Sequence, residues 1–448
     1  MTSSTHSAAA SLARFRTLLR MPTVSRLDES STDWAVFDGF VAALPALYPA
    51  LHAVLEREVV AGHSLLYRWA GVEPGDPAVL MAHYDVVPAG EEGWTHPPFA
   101  AELVGEGAER EVWGRGTLDD KGALAALLEA VEASVLAGVR PRRDVYLSFG
   151  HNEETSGTGA KAIVRTLRER GIRPALVLDE GGAVVEGVFP GVRAPSAMIG
   201  VSEKGVTTIT LTVHQRGGHA STPPRRTATD RLARAVVRLG RRPFPARITP
   251  TTARTLRTIG EHATGPMRFA LTRQRLSGPL LLRVLARLGD ETSAMVRTTS
   301  AVTQLQGSAA ANVLAERAVA TVNVRVAVGS SVAEALRHVR RAVRDSAVLV
   351  EALDPSEPSP VSPASGPAWE LLSSTTTAIF GEVIVTPYVQ LGASDSRHFA
   401  EISDHVYRFT PFEMTSRQRG SLHAVDERMH VDTWLRGIAF YTRLLRGL

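Results

Sequence analysis

DVYLSFGHNEE, residues 144–154, leads through TSGTG into AKAIVRTLRERG, which ends at residue 171, and its reading decides the fold. The first part is a near-continuous apolar run, the pattern of a strand buried on both faces. The last part places apolar residues at helical spacing, and the glycines between mark a turn. Strand, turn and helix in that order are half of a parallel βαβ unit. The same turn sets Glu153 beside Glu154. Adjacent carboxylates repel one another, and each loses hydration if the turn is buried.

The pattern repeats on both sides. PAVLMAHYDVV (77–87) reads as another buried strand, and DDKGALAALLEAVEASVLAG (119–138) as a helix with Asp119 or Asp120 at its start and Gly138 at its end. PALVLDEGG (174–182) is a third strand that stops in acid and glycine. The fold class is therefore α/β, a mostly parallel mixed sheet covered by helices. GVTTITLTVHQRG (205–217) and ERAVATVNVRVAVG (316–329) differ, because their Thr/Val alternation suits half-exposed antiparallel strands. With the helical segments between them they predict an inserted α+β domain over 206–328. The main domain is then split into 1–205 and 329–448, with EALRHVRRAVRDS returning to it. The N-terminus reads as a short polar tail and an amphipathic helix, without the order of a secretory signal, so a cytoplasmic location is expected.

The chain has 448 residues, 44% hydrophobic and 21% charged, and no apolar run long enough to span a bilayer. Among 50 basic residues only Lys121, Lys161 and Lys204 are lysines, the arginines are dispersed, and the net charge is +4. That is a solvated surface rather than a nucleic-acid stripe. With no cysteine, any metal site must use His, Asp and Glu.

His83 and Asp85 lie two apart on a strand and share a face. Asp119 opens a helix, Glu153 and Glu154 follow the next strand, and Asp179 ends the one after. Strand ends in an open α/β sheet converge on the crevice where ligands bind. Alone, each residue has an ordinary role: a satisfied histidine, a helix cap, a turn or a solvated loop. Together, that many carboxylates in one apolar crevice require a cation. Imidazole and carboxylate without sulfur suit zinc, with manganese or cobalt as substitutes.

Nine ordered motifs carry a resemblance to a known family: MAHYDVVP, GRGTLDDKG, GHNEETSGTGA, VLDEGG, SEKG, GGHASTPP, AANVLAERAVATVNVRV, GASDSRHF and LHAVDERMHV. In this order they resemble the M20 metallopeptidases, over nearly the whole chain. Within that family the chain is most similar to the carboxypeptidase S branch, which holds Gly-X carboxypeptidase and the N-fatty-acyl-amino-acid synthase/hydrolases. The resemblance implies a zinc-peptidase-like catalytic domain with an inserted lid and a site for two zinc ions. His83 and Asp179 would be terminal ligands of one ion, and Glu154 and His423 of the other. Asp119 would bridge them and precede a cis peptide. Asp85 would orient His83, and Glu153 would be the general base. His219 would stabilise the oxyanion, in several members from a partner subunit. Asn312, Arg325 and Gly392 would hold the substrate carboxylate.

The implied activity is hydrolysis of an N-acyl amino acid by metal-activated water, with a carboxypeptidase or dipeptidase of Gly-X type as the alternative. A non-catalytic metabolite-binding homologue would show a broken ligand set, and this set is intact. The segment PMRFALTRQRLSGPLLLRVLARL (266–288) reads either as an acyl-channel lining or as a packed lid helix with an arginine-rich outer face. Surface association with a membrane through that helix is a further reading, as is a homodimer through the lid.

Overall fold

The computed structural model describes residues 7–90, 92–187 and 192–448. The polar tail before the first helix lies outside the described residues, apart from Ser7, whose side chain caps that helix. Among the described residues eight strands form the main sheet: β1 (Glu56–Val60), β2 (Ser64–Trp69), β3 (Ala78–His83), β4 (Val145–Gly150), β5 (Leu176–Val185), β6 (Ser196–Glu203), β11 (Ile384–Gln390) and β12 (Val406–Met414). Their spatial order is β1-β2-β4-β3-β5-β12-β6-β11. The central β4-β3-β5-β12 pairings are parallel.

Apolar alternation along β3 explains why both faces are covered. Ala78, Leu80 and Ala82 enter one core, while Val79 and Met81 enter another. The first core is closed by helices α1 (Ala8–Leu19), α2 (Trp34–Leu47), α3 (Lys121–Leu136) and α11 (Val431–Gly447), and the second by α4 (Thr158–Glu169). A strand fully buried on two sides is the signature of βαβ architecture.

The insertion is a four-stranded antiparallel sheet, ordered β8 (Thr299–Gln306), β9 (Arg317–Val326), β7 (Gly205–His214), β10 (Val348–Ser356), with helices α5 (Ala228–Gly240) and α10 (Val332–Val343) on one face. Two expectations are corrected here. The segment after residue 328 does not return at once to the main domain. Val332, Ala335, Val339, Ala342 and Val343 of α10 bury into the insertion's own core, and β10 pairs with β7. Conversely, the helices α6 (Pro250–Glu261), α7 (Gly265–Thr272), α8 (Gln274–Leu288) and α9 (Asp290–Val296) leave the insertion. Their residues Leu256, Ile259, Leu271, Leu281, Leu285 and Val296 join the main core, and Thr255 Oγ1 donates to the Pro387 carbonyl at 2.6 Å.

Candidate metal centre

His83 closes β3, and its Nδ1 lies 3.0 Å from the backbone carbonyl of Asp85. A carbonyl can only accept, so Nδ1 carries a proton and Nε2 is the nitrogen turned toward the acids. The Asp85 carboxylate accepts from the backbone N–H of Glu153 and of Glu154, each at 3.1 Å, and from Ser25 Oγ at 2.6 Å. Asp85 therefore fixes the imidazole through its carbonyl and the Glu153–Glu154 turn through its buried carboxylate.

Asp119 lies between two histidines. Its Oδ1 is 3.0 Å from His83 Nε2, and its Oδ2 is 2.9 Å from His423 Nε2. Glu154 Oε2 stands 3.2 Å from the same His423 nitrogen. The Asp119–Asp120 peptide is cis. Behind it, Glu427 Oε1 accepts from the N–H groups of Leu118 (2.7 Å) and Asp119 (3.3 Å). Its other oxygen pairs with Arg115 Nη1 at 2.6 Å, and Arg115 Nη2 donates to the Ala424 carbonyl. This buried pair joins the loop of Asp119 to the loop of His423.

The remaining acid is not the expected one. Asp179 Oδ2 accepts from the Ser396 N–H at 2.8 Å, while Glu180 Oε2 faces His83 Nε2 at 3.7 Å. The strand does not end at DEGG; it bulges. Arg408 of β12 pairs with Asp179 and Phe409 with Gly182, so Glu180 and Gly181 are extra residues on β5. A bulge re-aims a side chain at the cost of ladder pairing. Glycine is required beside it, because a Cβ on Gly182 would lie 1.7 Å from the Met198 carbonyl oxygen.

The donor set fits metal ions. His83, Glu153 and Glu180 offer ligand atoms within 4.8 Å of one another, as do His83, Asp119 and Glu154, and Glu154 Oε1 is buried without a hydrogen-bond partner among the described residues. Burial, then the charge of neighbouring acids, pushes the carboxyl of Glu153 well above the ordinary value, and that of Glu180 up to about 8. Asp119 and Glu154 raise His423 to about 10. Glu153 and Glu180 resist ionising while Asp119 stays ionised between two imidazoles that hold protons, the balance of a cluster short of positive charge.

A cleft of about 410 Å³ opens beside the centre, with Asp119, Glu153, Glu154, Glu180 and His423 in its wall. Apolar side chains line the rest, Val185, Met198, Met295, Met414 and Leu422 among them, and Gly392 lies in the wall. From the 250–296 helices only Glu291 and Met295 reach it, so 266–288 does not line this cleft. Arg325 is half-buried, and the charges of Arg397, Glu153 and Glu203 act on it. His219 and Asn312 are not brought to the centre. Both are exposed at the tip of the insertion, His219 on a short strand paired with Val313–Leu314 and Asn312 in the turn just before that pair, where Ala220 N–H donates to the Asn312 carbonyl and Ser221 N–H to His219 Nδ1.

The fold and this cluster define a metallohydrolase of amide bonds. The chain belongs to peptidase family M20/M25/M40, whose family model matches residues 79–447. It is 36% identical over 438 residues to the N-fatty-acyl-amino acid synthase/hydrolase PM20D1 of Homo sapiens, covering 96% of this chain and 86% of that one. It is 30% identical to carboxypeptidase S of Saccharomyces cerevisiae, covering 88% of this chain and 75% of that one. Among solved structures it is similar to the metallo-carboxypeptidase Sso-CP2 of Sulfolobus solfataricus, with a TM-score of 0.70 at 16% identity over 97% and 98% of the two chains. Human carnosine dipeptidase 1 gives a TM-score of 0.69 at 14% identity over 98% and 96%.

Proposed function

We propose that the chain is a dizinc amidohydrolase that cleaves N-acyl amino acids. The observation that carries the reading is Asp119, with one oxygen toward His83 and the other toward His423. His83, Asp119 and Glu180 would hold one ion, and Asp119, Glu154 and His423 the other; Glu180 takes the place expected of Asp179. Two zinc ions, or cobalt or manganese in their stead, would offset the clustered acids, polarise the amide carbonyl and acidify the attacking water.

This chain's own residues do the rest. Glu153 takes the proton of the attacking water and returns it to the leaving amine nitrogen. Asp85 holds the His83 ring and the Glu153 backbone in register with each other. Arg325 supplies a two-donor fork for the substrate carboxylate, with the backbone at Gly392 closing the same end. The apolar half of the cleft receives the acyl chain, in keeping with the name of the 36% identical relative.

His219 and Asn312 act from a second copy of the chain. Their exposure at the tip supports this, as does β8, an exposed strand at the edge of the insertion's sheet that offers unpaired backbone groups to a neighbour. Losing one oxyanion donor costs about 10²–10³ in rate.

The names of the carboxypeptidase relatives favour a second reading, hydrolysis of short peptides from the C-terminal end. A chromatographic screen of N-acyl amino acids of increasing chain length against dipeptides separates the two. Turnover that rises with acyl length is the expected result, and cleavage of dipeptides alone would remove the acyl reading.

A further inference from the structure

The outer surface of α7 and α8 is unlike the rest of the molecule. Leu276, Leu280, Val284 and Leu288 recur every fourth residue along α8 and are 75%, 67%, 46% and 57% exposed; Phe269 of α7 is 57% exposed. The same helix buries Leu281 and Leu285 in the main core, so its inner face is satisfied and its outer stripe is not. Between Glu261 and Asp290 the sequence holds five arginines (Arg268, Arg273, Arg275, Arg283, Arg287) and no acidic residue. All five are exposed. An open groove of about 1030 Å³ beside the stripe is lined by Ile248, Leu276, Pro279 and Leu282 together with Arg273 and Arg275.

We propose that this face is a docking surface for an anionic phospholipid bilayer. A helix that presents leucine and phenylalanine among arginines lies in the plane of a membrane interface, its apolar side chains among the acyl chains and its cations on the headgroups. Long arginine side chains keep their charged ends at the headgroups while their stems lie along the apolar stripe. A second copy is the wrong occupant, because a two-fold pairing would set arginine against arginine with no acid on the face to offset it. The surface is peripheral: no helix among the described residues is long and apolar enough to cross a membrane.

The position of the face also has a consequence for the cleft. Ile248 borders both the groove and a neighbouring cavity of about 430 Å³, and that cavity shares Met295 with the metal cleft. Docking here would set an acyl chain leaving the bilayer on a row of adjoining cavities toward the carboxylates.

Flotation of the full chain with vesicles tests the docking without reference to which amide is cleaved. The chain is expected to float with phosphatidylcholine vesicles containing one-third phosphatidylglycerol, to stay behind with phosphatidylcholine alone, and to lose binding in half-molar salt. Arg283→Gln with Arg287→Gln should weaken partitioning on the order of 25-fold, about fivefold per arginine. Leu280→Ser with Val284→Ser should weaken it roughly tenfold or more. Circular dichroism and thermal midpoints of both variants should match the parent, since neither pair enters the core. Failure to float, or flotation unchanged by both pairs of substitutions, overturns the proposal. So does a dimer in light scattering that Leu280→Ser and Val284→Ser dissolve in a chain that never floats.

Discussion

Glu153 and Glu154 share a turn and a pair of backbone bonds to Asp85, yet their carboxylates meet different neighbours. Glu154 lies against His423, whereas Glu153 faces the cleft under the charges of Glu180 and Asp395. Glu153→Gln should therefore keep the fold and the metal and lose about 10²–10⁴ in kcat, the usual worth of a general base. Glu154→Gln should instead lose about one metal equivalent by elemental analysis. Near-parental turnover by Glu153→Gln would end the assignment. A second contrast concerns the next strand. Asp179→Asn keeps an oxygen for the Ser396 N–H and should retain metal, while Glu180→Gln should bind it on the order of 10- to 100-fold more weakly and turn over slowly. Metal lost from Asp179→Asn and kept by Glu180→Gln would restore the ligand expected from sequence. His83, Asp119 and the Glu153–Glu154 pair were legible because strand ends in an α/β sheet point to one crevice. Glu180 was passed over, since the motif resemblance pointed to its neighbour Asp179 and the bulge that turns Glu180 toward His83 leaves no mark in the sequence.

At the scale of elements, the bulge of β5 and its glycines are one device. Gly181 has φ +136, and a Cβ on it would come within 2.9 Å of Arg408 Cβ. A Cβ on Gly182 would meet backbone, which cannot swing aside as a side chain can. Gly182→Ala should therefore cost about 1–3 kcal/mol or more of stability, as overpacking does. It should also weaken metal binding, because the strand can relieve the contact only by moving Glu180. A chelator-treated sample separates the two effects: its thermal midpoint should fall in the variant even without metal. A midpoint equal to the parent's would mean that the bulge is not held by this contact. Other elements show where sequence stops being informative. The strands at 205–214 and 317–326 were readable as half-exposed antiparallel strands from their alternation. The helices at 250–296 and 332–343 are all amphipathic, and amphipathicity says that a helix has an inner face without saying which sheet that face meets. Exchanging these two groups between domains was the resulting error.

For the molecule as a whole, two apolar cores grip one sheet and the charged centre sits at the sheet's parallel strand ends, so the fold concentrates its electrostatic cost in one place. That makes its stability depend on pH and metal together. In the metal-free chain burial, then Asp179, raises Asp395 from 3.8 to about 7, and burial, then Asp119, raises Glu180 from 4.5 to about 8. A raised carboxyl pKa means that the folded state binds more protons than the unfolded one between the two values. The contribution is therefore fully present below the unfolded pKa and is lost as pH rises through the folded one. His151 and His398, lowered by burial to about 4 and about 3, act in the opposite sense, but only below 6.5. Lys121, lowered by burial to about 7, opposes only above that value. Between about pH 6.5 and 8 the carboxylates act together with His423, whose raised value of about 10 works in the same direction, and the thermal midpoint of the chelator-treated chain should fall. Zinc supplies the positive charge that protons no longer do, so the midpoint gained on adding it should be larger at pH 8 than at pH 6.5. Glu180→Gln should flatten the metal-free profile by removing one of the titrating groups. A metal-free midpoint that rises over this interval, or a zinc gain equal at both ends of it, would mean that the clustered carboxylates are not what the metal offsets.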